Sequence, residues 1–65
     1  MTEYEELLKY IGMDYFKVAG QIEKEFFPLL IRIFNKYDFE LENYFDNIIR
    51  CVLNDNNQIV KLRFN

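Results

Sequence analysis

Histidine, serine and tryptophan are absent from this 65-residue chain, which has one threonine (Thr2), one cysteine (Cys51), one proline (Pro28) and two glycines. Each gap removes a class of chemistry. General acid–base catalysis most often relies on His, and an activated nucleophile needs a Ser, Cys, Thr or Lys held beside a base. A single Cys closes no intrachain disulfide, and without His or a second Cys no zinc site can be assembled. No glycine-rich loop is present to cradle a phosphate. Carboxylates, lysines and tyrosines remain, so the sequence predicts neither an enzyme nor a resident cofactor or metal.

Long apolar runs are missing too. The longest, Phe26 to Phe34, is interrupted by Pro28 and Arg32 and falls short of the ~20 residues of a membrane span. It reads as core. The start, Met1-Thr2-Glu3-Tyr4-Glu5-Glu6, is acidic where a signal peptide is basic and then apolar, so a cytoplasmic setting is expected. A chain of this length forms one domain. At about 60 residues a domain buries only roughly 60% of the surface its unfolded chain exposes, so help from self-association or a partner protein is expected.

What is present has helical spacing. Thr2 and Glu5 match a capping box, and Tyr4, Leu7, Leu8, Ile11, Tyr15, Val18, Ala19, Ile22 and Phe26 share a stripe about 120° wide. The unbroken phase predicts one long first helix; a break at Gly12, with Asp14 as a new cap, is the alternative. Pro28 suits the first turn of a second helix reaching about Tyr37. Asp38 is placed to cap a third, carrying Leu41, Tyr44, Phe45, Ile48, Ile49 and Val52 at helical spacing. Asn54-Asp55-Asn56-Asn57 is a turn. Gln58 to Phe64 then alternates, with Val60, Leu62 and Phe64 on one side and Ile59, Lys61 and Arg63 on the other, as a strand does. The fold expected is mainly α: a small three-helix domain with a short C-terminal strand or extended tail. A hairpin of Ile48–Leu53 with Ile59–Phe64 is the alternative. In the first scheme the core rests on Ile22, Leu30, Phe34, Phe45 and Ile48, and the tail pairs with a second chain or a partner's sheet edge.

Three groups of side chains are candidate partner-binding residues. The back face of the first helix collects Lys9, Tyr10, Met13, Phe16, Lys17, Gly20 and Lys24, combining apolar contact area with all three lysines of that helix. Asp38, Glu40, Glu42 and Asp46 form an acidic group whose plain reading is a charged first turn and a solvated face. Lys61 and Arg63 form the polar side of the tail. Cys51 reads as a thiol at the edge of the core with no role.

A formal charge of −3 opposes the basic footprint of a nucleic-acid binder, so direct nucleic-acid binding is not expected. These features point to a small acidic protein–protein interaction module, such as a phage or mobile-element inhibitor or regulator docking on a basic surface of a host nucleic-acid enzyme. The alternatives are a homo-oligomeric assembly subunit, for instance a homodimer, and a DNA-binding transcriptional regulator.

Overall fold

Thr2 opens the first helix as its spacing predicts: its hydroxyl oxygen accepts the Glu5 N–H at 3.2 Å, and its own O–H donates to the Glu5 carboxylate. The structure, a computed structural model, describes residues 2–41 and 47–64. Helix α1 spans only Glu3–Leu8. Gly12 follows at φ 89°, a left-handed geometry that suits glycine, and Asp14 caps a second helix, α2 (Tyr15–Glu25), by accepting from Phe16 N at 2.8 Å. The long helix expected from the phase is therefore split. Its phase survives the break because both pieces lay their apolar side on one cluster, where Leu7, Tyr10 and Ile22 meet.

The mainly α expectation is overturned from Pro28 onward. The Phe27–Pro28 bond is cis, and Leu30–Ile33 is a strand, β1, rather than a helix. A run this short and this apolar fits either period; β-branched Ile31 and Ile33 suit the extended form. Helix α3 spans Lys36–Glu40, and its cap is Asn35, whose side chain accepts from Tyr37 N and Asp38 N, instead of Asp38. Ile48–Leu53, assigned above to the third helix, is strand β2, and Ile59–Phe64 is strand β3. The expected helical positions Tyr44 and Phe45 lie outside the described residues.

The result is a small α+β domain with a mixed sheet ordered β1-β2-β3: β1 runs parallel to β2 and β3 antiparallel to it. The tail thus pairs with β2 of its own chain, not outside it. The turn was legible. Asn54 Oδ1 accepts from Asn56 N and Gln58 N at 2.9 Å each, and Asn57 takes φ 63°. The alternation was not, because the pairing slips beside Val52 and Leu53: Lys61 pairs with Val52 and Ile59 with Leu53, leaving Val60 as the extra residue of a bulge. The bulge turns Ile59 onto the face of Leu62 and Phe64, and Val60 outward.

One face of the sheet, carrying Ile31, Ile49, Cys51, Ile59 and Leu62, packs against α1 and α2 and forms the core. Of the expected core residues Ile22 is there, fully buried. Leu30 is 44% exposed, while Phe34 and Ile48 are half-buried on the other side. On that second face Arg32, Arg50 and Arg63 stand opposite one another in register. Like charges so placed repel. Arg50, fully buried, is held by the carbonyls of Asp38, Phe39 and Leu41 at the C-terminal end of α3, where the helix dipole is negative, and its guanidinium lies over the Phe34 ring at 5.2 Å. Arg63 reaches the Phe39 carbonyl at 2.9 Å. These contacts attach α3 to the sheet.

Cys51 sits in the middle of the core, not at its edge, and burial pushes its thiol up to about 12. Burial also raises Tyr10 and Tyr15, the former helped by the nearby Glu25 carboxylate. The folded state holds the Cys51 proton more tightly than the unfolded chain. Its contribution to stability is therefore intact below the ordinary thiol range and is lost as pH rises from about 8.5 toward 12. The urea midpoint should fall through that window, less steeply in Cys51→Ala, and native protein should resist alkylation by iodoacetamide until urea unfolds it. Rapid labelling of folded protein would place the thiol at the surface. Among the described residues no helix is long and apolar enough to cross a membrane.

Candidate protein-binding surface

Splitting the first helix divides the face read from its sequence. Tyr10 is 2% exposed and belongs to the core. Lys9 stays at the surface, bonded to Glu25 at 2.9 Å and to Glu6 at 3.2 Å, with its ammonium 5.3 Å from the Tyr10 ring. Those hydrogen bonds, Glu25's first, raise the Lys9 pKa. Tyr10 is thus closed to a partner, and the charge of Lys9 is already compensated within the chain.

The remaining members stay together and exposed. Phe16, Lys17, Gly20 and Lys24 occupy the outer face of α2, and Met13 precedes the helix. Phe16 is 71% exposed, and Phe27, just past the helix, is 83% exposed. Phe27 was missed because the Phe26-Phe27 pair carries no sign of which ring turns inward; only Phe26 packs against the core.

Charge on α2 is sorted by direction. Each of its carboxylates is engaged within the chain: Asp14 caps the helix, Glu23 accepts the Ile31 N–H at 2.9 Å, and Glu25 holds Lys9. Lys17 and Lys24 have no ion pair among the described residues. A chain of net charge −3 therefore presents a locally positive face with aromatic and thioether side chains.

The other candidate groups are more compensated. Asp38 accepts from the Asn35 side-chain amide at 3.0 Å, and Glu40 faces Lys61 at 3.6 Å, so the acidic turn and the tail meet each other. Glu42 and Asp46 lie outside the described residues. Arg63 is committed to α3. Among these residues no three Cys, Asp or Glu side chains converge as metal ligands would.

The sheet edges are blunted. On β1 the Ile31 N–H is taken by Glu23 and the Ile31 carbonyl by Arg32 at 3.1 Å. At the start of β3, Gly12 N donates to Ile59 O and Ile59 N to Met13 O, and farther along the Tyr4 hydroxyl donates to Leu62 O at 3.5 Å. Such coverage leaves little edge for an added strand. A shallow apolar groove of about 320 Å³ runs between α1 and β3, with Tyr4, Leu8, Ile11 and Val60 on its walls and the Glu40–Lys61 pair beside it. Comparison with protein-family models, with curated proteins and with solved structures yields no match.

Proposed function

We propose that this protein acts by binding another protein chain rather than by catalysis, and that its working surface is the outer face of α2. The observation that carries this reading is the exposure of Phe16 and Phe27 on either side of two lysines without ion pairs. A small domain normally turns such rings inward, and an exposed apolar patch edged by polar groups is the usual mark of an interaction site. Phe and Met are enriched at the centres of interfaces, and uncompensated lysines at the rim steer association. The acidic turn supports docking on a basic enzyme less well, since Glu40 and Asp38 already have partners within the chain.

A photo-crosslinking amino acid placed at Phe16 or Phe27 in the native host tests the surface. Discrete protein adducts are expected at these two positions and not at Tyr37, an aromatic of similar exposure on α3. Adducts at Tyr37 alone, or none at 16 and 27, would refute it.

A further inference from the structure

Gly20 stands in the middle of α2, and a Cβ built on it would meet nothing within 4 Å. Relative to alanine, glycine inside a helix is destabilising, and no contact within the chain calls for its small size. Its neighbours on the outer face are arranged evenly about it. Phe16 and Lys24 lie one helical turn to either side; Met13 and Phe27 lie equally far beyond the two helix ends.

We infer that a second copy of this chain docks on this face, its α2 antiparallel to the first and crossing it at Gly20. The inference rests on the reading of α2 as the binding surface and names its occupant. A two-fold axis at Gly20 pairs each residue with the one equally distant on the other side. Phe16 then receives Lys24 of the second copy, an ammonium over a ring. Met13 receives Phe27, a thioether against a ring. No lysine is set opposite a lysine. Two glycines at the crossing let the backbones approach closely, which explains why the position carries no side chain. The pairing also covers Phe16 and Phe27, two strongly exposed rings of a domain too small to bury them alone.

Two measurements test it. Sedimentation equilibrium should give the wild-type chain twice its mass of 8.0 kDa. Gly20→Leu should weaken the dimer at least about 100-fold, through overpacking at both copies of the crossing. The same variant should keep its helical circular dichroism, because the monomer has open space there. In the second measurement Gly20→Cys, mildly oxidised, should form a disulfide-linked pair of chains while Asn56→Cys does not; Cys51 is fully buried and stays silent. A wild-type mass that stays at one chain throughout overturns the dimer. If crosslinks at Phe16 and Phe27 to a different protein are still found, α2 remains the binding surface with another occupant. A dimer that Gly20→Leu leaves intact, with no disulfide at position 20, overturns the crossing and places self-association elsewhere.

Discussion

Arg50→Ala is expected to leave most of the chain unfolded in water, a loss of about 3–5 kcal/mol against a stability that for a domain this size is of similar magnitude. The guanidinium is fully buried and donates to three carbonyls at the end of α3. Replacing a buried charge by an apolar residue can be harmless when its partners are replaced with it. Here the partners are backbone carbonyls, which no substitution removes. The Leu41 carbonyl loses its guanidinium donor, at about 1–3 kcal/mol, the Asp38 and Phe39 carbonyls keep Leu41 N and Arg63 as donors, and the volume of the buried side chain is left empty. Arg50→Lys keeps the charge and has N–H donors for the carbonyls, but its ammonium is more strongly hydrated, so costlier to bury, and loses the flat guanidinium's contact with the Phe34 ring; an intermediate loss of about 1–2 kcal/mol is expected. Urea denaturation followed by circular dichroism measures both. A midpoint for Arg50→Ala close to wild type would mean that α3 is not held by this side chain.

Ile49→Ala should cost about 2–5 kcal/mol, and Leu30→Ala less than about 1 kcal/mol. Ile49 is at the centre of the central strand, paired with Ile31 on one side and Phe64 on the other, and is fully buried. Leu30, which helical reasoning places in the core, is a neighbour of Ile31 along β1 and so points to the opposite face, 44% exposed. The pair of variants separates the two schemes. Equal losses, or a larger one at Leu30, would restore a helix over residues 28–37.

The parts of the structure that could be read in advance are those whose stabilising contacts are local. The Thr2 hydroxyl caps α1 by accepting the Glu5 N–H and donating to the Glu5 carboxylate within one turn, and Asn54 to Asn57 form a turn through their own side chains and backbone. Asp14 with Gly12 marked a break whose elements are also local; the unbroken apolar phase outweighed it because two helices on one sheet keep the same inward direction. Of the candidate residues on the first helix, Phe16, Lys17, Gly20 and Lys24 lie together on the exposed side of α2, with Met13 just before it, as the spacing places them. Tyr10 differs: past the end of α1 its ring turns into the core, while Lys9 stays at the surface in ion pairs with Glu6 and Glu25.

Composition and local order therefore determined which side-chain types are missing, where the chain turns, where α1 begins and which side of α2 faces outward. The sheet was decided by tertiary structure. Ile48 to Leu53 satisfies a helical stripe and a strand equally well, and the choice falls to the strand when β1 and β3 supply hydrogen-bonding partners on both sides of it. The bulge at Val60 depends on that pairing, since nothing in residues 58–64 taken alone distinguishes Ile59 from Val60. Burial of Arg50 depends on α3 folding back over the sheet so that the carbonyls at its end meet the guanidinium. A helix satisfies its backbone within itself and is legible in one segment; a strand and a buried guanidinium are satisfied only by what folding brings to them.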